Sequence, residues 1–61
     1  MTVRDLMRTL PLSVRRNYRD RRTGEIIDYY NMDRKGKREL RNRTVYLVSP
    51  VNEKEVDIFM Y

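Results

Sequence analysis

Cysteine and histidine are both missing from this chain, and glycine and proline occur only twice each. Without histidine there is no ordinary proton shuttle for neutral pH, and without either residue the commonest zinc ligands and any thiol nucleophile are lost. Zinc-finger and thiol-protease chemistry are thereby excluded. Ser13 and Ser49 are the only serines, and neither has a histidine to activate it or a G-x-S-x-G elbow to present it. Two glycines cannot build a P-loop or a dinucleotide cradle. These absences point to a protein that is not an enzyme and carries no cofactor.

Other absences bound the setting. Disulfides cannot support the fold, which suits a reducing compartment. No apolar run approaches the roughly 20 residues of a membrane span. The opening MTVRDLMRTL breaks its apolar residues with an aspartate and two arginines, unlike a signal peptide. A cytoplasmic protein with no membrane partner is expected. With 61 residues, 39% of them apolar and 38% charged, the chain should form a single domain, 1–61, around a thin core, so marginal stability or self-association is expected.

What is present begins with a helix signal. In TVRDLMRTLP, Val3, Leu6, Met7 and Leu10 recur at i, i+3, i+4 and i+7, one stripe of a helix. Thr2 and Asp5 have the spacing of a capping box, and Pro11 ends the segment. So short a helix must pack its stripe on something. Residues 12–19 and 25–32 read as two strands joined by D-R-R-T-G, with Gly24 free to take the positive φ of a type I turn plus bulge. If Asp20 faces Glu25, then Val14, Tyr18, Ile27 and Tyr29 share a face with Arg16, and Arg15, Asn17, Arg19, Asp28 and Tyr30 lie on the other. A slip of one residue exchanges the faces, and the first register gathers more apolar groups under the helix.

Residues 33–43, DRKGKRELRNR, hold one aliphatic side chain, Leu40, and read as a solvated connection with at most one helical turn. Residues 44–49 and 55–61 read as a second hairpin around a turn at 50–54. The expected class is α+β: one short amino-terminal helix packed on a four-stranded antiparallel sheet made of two hairpins.

Charge is polarised along the chain. Residues 15–43 hold eleven of the fourteen basic side chains against five acids, and residues 44–61 hold one lysine against three. If the first hairpin turn and the 33–43 connection meet, they form a basic rim of Arg15, Arg16, Arg19, Arg21, Arg22, Arg34, Lys35, Lys37, Arg38, Arg41 and Arg43. Guanidinium forks grip phosphate and tyrosines on a sheet stack on bases, so nucleic acid or a nucleoprotein is the first partner to consider. The alternative use of so much arginine is to solvate the surface of a small chain. Tyr30, Tyr46 and Phe59 offer a second candidate surface, for a host protein, since aromatic residues and arginine carry interface energy. A homodimer sharing the carboxy-terminal strand as an edge is compatible with either reading. Glu53, Glu55 and Asp57 alternate, yet hard cations want six or more oxygens around them, and three alternating acids suit a solvent face; no metal is expected.

The segment TVRDLMRTLP also resembles the start of very small phage and mobile-element accessory proteins of Gram-positive bacteria, where a T-V-x-[DE]-L helix precedes a compact antiparallel sheet. The resemblance implies action in the host-cell cytoplasm, as an inhibitor of a host nuclease or defence protein, anti-CRISPR proteins included, or as a small DNA-binding regulator. The positive charge departs from acidic inhibitors that mimic DNA.

Overall fold

In the computed structural model, which describes residues 1–61, the first helix, α1, spans Val3–Thr9. The Asp5 N–H donates to Thr2 Oγ1 and the Thr2 N–H to Asp5 Oδ2, each at 3.2 Å, closing the capping box. These Thr2 hydrogen bonds hold the Asp5 carboxyl below its ordinary range. Val3 and Leu6 are buried, with Met7 and Leu10 packed partly behind them, as the stripe requires.

Strands β1 (Arg15–Asp20) and β2 (Ile26–Ile27) form the first hairpin. Tyr18 pairs with Ile27 and Arg19 with Ile26, the register in which Asp20 meets Glu25. Gly24 takes φ 73°, a conformation that would strain any residue with a Cβ. The turn is further fixed by the Arg22 N–H donating to Asp20 Oδ1 at 2.7 Å. The second strand is far shorter than the expected 25–32. After Ile27 the chain folds into one turn of 3-10 helix at Tyr29–Asn31, which lays the Tyr29 ring on the buried Tyr18 with centroids 5.0 Å apart.

The basic connection is a helix, not a loop. Helix α2 covers Arg34–Arg41, opened by Asp33, whose side chain accepts from the Gly36 N–H at 2.7 Å. Leu40 is its one fully buried side chain. Gly36 lies on the inward side, where an added Cβ would come within 3.0 Å of Asp33 Oδ1 and 3.4 Å of Met32 Cβ.

Strands β3 (Val45–Asn52) and β4 (Glu55–Met60) complete a sheet of order β2-β1-β4-β3. β3 runs on through Pro50, which sequence placed in the turn. An edge strand tolerates proline because the missing N–H can face solvent, and the turn itself is reduced to Glu53 and Lys54. The sheet is mixed: β1 and β4 lie parallel, from Arg15 beside Glu55 to Asp20 beside Met60, while the two hairpins are antiparallel within themselves. Both departures from the expected all-antiparallel sheet have one cause. β2 and β3 point the same way at opposite edges, and joining them requires a crossover, which α2 supplies. β4 is consequently interior and has no edge to share with a second copy; the free edge belongs to β3 beyond Val45, whose N–H donates to the Met1 carbonyl at 2.9 Å.

Val56, Ile58 and Met60 of β4 face the helices, and the core is Val3, Leu6, Tyr18, Leu40, Ile58 and Met60. The other face of the sheet has no helix over it. With only six residues buried, each matters. Truncating Leu40 to alanine is expected to remove about 2–5 kcal/mol, comparable to the whole stability of a chain this size at about 0.05–0.15 kcal/mol per residue. Urea unfolding followed by circular dichroism measures this. Leu12→Ala, at a side chain 94% exposed, should change the unfolding free energy by less than about 0.5 kcal/mol.

Candidate nucleic-acid interface

Fourteen basic side chains make only two ion pairs: Arg19 Nε lies 3.4 Å from Asp57 Oδ2, and Arg43 Nη2 lies 3.2 Å from Asp20 Oδ2. The remaining twelve have no carboxylate within 4.0 Å, so most of the positive charge is uncompensated at short range.

The fold separates nine of the eleven basic residues into two groups on opposite sides of the sheet. On the open face, β1 carries Arg15 and Arg19, and Arg21 and Arg22 follow at the turn. Arg19 is engaged: Nη1 donates to the Gly24 carbonyl at 2.7 Å, and its Nε approaches Asp57 without the alignment of a hydrogen bond. Arg21, itself exposed, lies over two rings that meet edge-on, its guanidinium carbon 5.0 Å from the centroids of both Tyr46 and Tyr61. Arg15 and Arg22 are exposed.

On the helical side, Arg34, Lys37, Arg38 and Arg41 recur at i, i+3, i+4 and i+7 of α2, so they form one stripe along it. Arg34 and Arg38 are exposed, as is Lys35 beside them. Lys37 sits over the Tyr29 ring, 5.7 Å from its centroid, and Arg41 Nη1 donates to Tyr29 Oη at 3.0 Å. Asp33 is spent as the helix cap, and Glu39 is the one acid within the helix. The same periodicity that marks an apolar face thus marks a cationic one, a signal that was present in the sequence at 34–41 but hidden by the lack of aliphatic residues.

Arg16 and Arg43 belong to neither field. Arg16 Nη2 donates to the carbonyls of Leu10 at 3.1 Å and Pro11 at 3.2 Å, tying the end of α1 to β1, while its buried Nε has no partner. Arg43 joins the end of the last strand to the first hairpin, with Nε donating to the Tyr61 main-chain oxygen and Nη2 to Asp20. The Asp20 carboxyl is held below its usual range, first by the Arg22 N–H and then by Arg43.

The candidate protein-binding aromatics are divided as well. Phe59 pairs with Leu47 across the open face, Tyr46 lies in the bulge beside it, and Ile26 flanks Arg19 on the far edge. Leu47 is 50% exposed and Tyr46 51%. Tyr30 leaves that face with the 3-10 turn and packs edge-on against Tyr29, centroids 5.5 Å apart. Glu55 and Asp57 accept from the single Asn17 amide, at 2.7 and 2.9 Å, and Glu53 is exposed on the turn. The acids therefore balance the open face internally, leaving it with less free charge than α2. No helix is long and apolar enough to cross a membrane.

Comparison with protein-family models, with curated proteins and with solved structures finds no match.

Beneath the stripe, the phenol of Tyr18 is pushed up to about 12, chiefly by burial. Its neutral form is therefore favoured in the fold. As pH climbs past about 10 the unfolded chain gives up this proton while the folded chain keeps it, so stability is fully present below pH 10 and falls between about 10 and about 12. Urea melts across that window should lose on the order of 2 kcal/mol from this group, and Tyr18→Phe should flatten the alkaline limb by a similar amount.

Proposed function

We propose that this protein is a non-enzymatic binding module that holds nucleic acid, or a nucleic-acid complex, through the cationic stripe of α2. The observation that carries the reading is the repetition of Arg34, Lys37, Arg38 and Arg41 along one side of a helix with no ion pair to any of them. A row of cations at helical spacing on a rigid element matches a row of phosphates. Arginine adds bidentate geometry, and the formal charge of +5 adds long-range attraction. The hairpin residues Arg15 and Arg22 contribute to the field from the other side of the sheet. We extend the proposal to the setting implied by the amino-terminal resemblance, an accessory factor of a phage or mobile element acting in the host cytoplasm.

A second reading rests on a different surface. Ile26, Leu47, Tyr46 and Phe59 place apolar and aromatic groups on the uncovered sheet face, the composition of a protein contact. In this reading the chain inhibits a host nuclease or defence protein, and Leu47→Ser or Phe59→Ala abolishes capture of a nuclease-resistant partner without changing affinity for DNA.

The first reading fixes a salt dependence. With about five phosphates neutralised, log affinity for a DNA duplex should fall against log salt with a slope of about −4 to −5. The double substitution Arg34→Ala and Arg38→Ala should weaken binding across all sequences and make the slope shallower by about 2, with the circular dichroism spectrum unchanged. Fluorescence anisotropy at four salt concentrations measures both; a slope near zero, or one that the double variant leaves alone, refutes the assignment to α2.

A further inference from the structure

Where β2 stops at Ile27, β1 is left without a neighbour on that side. The Asp20 N–H donates to Glu25 across the hairpin, whereas the N–H groups of Arg15 and Arg21 donate to Lys54 and Met60 on the side of β4. Even-numbered residues of β1 thus address β2, and the main-chain N–H and C=O of Arg16 point at a position that β2 no longer occupies. The gap is a cleft of about 340 Å³, walled by Ile26 and Ile27, by Asp28 and by the ring of Tyr30, with Arg15 at its rim. Neighbouring side chains do not fill it. Arg16 is held by the Leu10 and Pro11 carbonyls, and the Asn17 amide by Glu55 and Asp57. Tyr30 is 66% exposed and Ile26 60%, so the flat surfaces of the wall are free to be covered.

We propose that this cleft receives one unstacked nucleobase of a single strand, a reading that rests on the nucleic-acid function and specifies its substrate. The chemistry of the walls selects a base over the other candidates. A peptide strand adding to the sheet would need several free backbone pairs, and here Arg16 offers one, because the Val14 N–H donates to the Pro11 carbonyl and Tyr18 is paired with Ile27. A phosphate would meet the Asp28 carboxylate. A base instead stacks on the Tyr30 ring. Its pairing edge carries an adjacent acceptor and donor for the Arg16 N–H and C=O, and an exocyclic amino group can donate to Asp28. Arg15 is placed for the adjoining phosphate. Contact runs from Tyr30 through Tyr29 to Lys37, so a strand whose base enters the cleft is led onto the α2 stripe. Base pairing occupies the same edges, so the cleft admits only unpaired nucleotides.

The test compares a short single-stranded oligonucleotide carrying 2-aminopurine with the duplex of the same sequence, for the native chain and for Tyr30→Ala and Tyr30→Phe. The expected result is tighter binding of the single strand and a change in 2-aminopurine fluorescence on binding. Tyr30→Ala should lose about tenfold in single-strand affinity with duplex affinity and salt slope unaltered, and Tyr30→Phe should retain affinity. Equal loss on both substrates, no loss on either, or preference for the duplex overturns the cleft proposal, while salt-sensitive binding that depends on Arg34 and Arg38 leaves the broader function standing. Absence of binding to either form overturns both.

Discussion

The column of Val56, Ile58 and Met60 on β4 is what the fold is built to cover. Val3 and Leu6 reach it from α1 and Leu40 reaches it from α2, while Tyr18 closes it from the neighbouring strand. Burial of this one face provides the driving force, since apolar area removed from water is the dominant favourable term in folding. It also fixes where everything else goes. Two helices on one side of the sheet leave the opposite face uncovered, and that face is knitted by polar contacts of Asn17 and Arg19 to the carboxylates of β4.

A high arginine content has two sources in this protein, and the structure separates them. Arg19 and Arg43 each hold a main-chain oxygen and a carboxylate from different segments, and Arg16 ties β1 to the adjacent carbonyls of Leu10 and Pro11. A planar fork with several donors can do this and an ammonium on a flexible stem does it poorly. These side chains act as struts between segments. Two of the three lysines lie instead on α2, among arginines that make no ion pair. Charge density along the sequence is thus a poor guide to free charge on the surface, because part of it is consumed by the backbone carbonyls of a chain with little regular core.

Much of the local structure was legible. The capping box of Thr2 and Asp5, the stop at Pro11 and the positive φ of Gly24 are decided within a few residues by steric and hydrogen-bonding rules, and they stand as those rules require. The antiparallel sense of each hairpin follows for the same reason, but not its extent: β2 stops at Ile27 and β3 runs on through Pro50. α2 was not legible as a helix because the usual signal is a repeating apolar face, and this one buries a single aliphatic residue; its cap, Asp33, is a local cue that gains weight only beside the cationic period. The parallel pairing of β1 with β4 was hidden for a related reason. It depends on the direction in which the connection delivers β3, and an unrecognised helix conceals a crossover. Nothing local reports that Tyr29 will leave the strand to cover Tyr18, so the end of β2, the cleft behind it and the position of Tyr30 could not be read. The basic residues themselves were legible by name, but their division between two faces depends on the mixed sheet.

α2 is built against its own local preferences. Arg34 with Arg38 and Lys37 with Arg41 place like charges at i, i+4, each pair unfavourable by about 0.2–0.5 kcal/mol, and Gly36 within the helix gives up roughly 1 kcal/mol relative to alanine. Arg34 also puts a cation in the first turn, where the helix dipole disfavours it. The segment is helical because Asp33 caps it, Leu40 anchors it and the Tyr29 ring takes Lys37 and Arg41 along its side. Arg38 and Arg41 lie in the last turn, where the helix dipole favours cations, so the local cost falls on the like-charge pairs and on Arg34 at the other end. An anion laid along the stripe would offset that cost, which separates these side chains from the arginines that brace the rest of the chain.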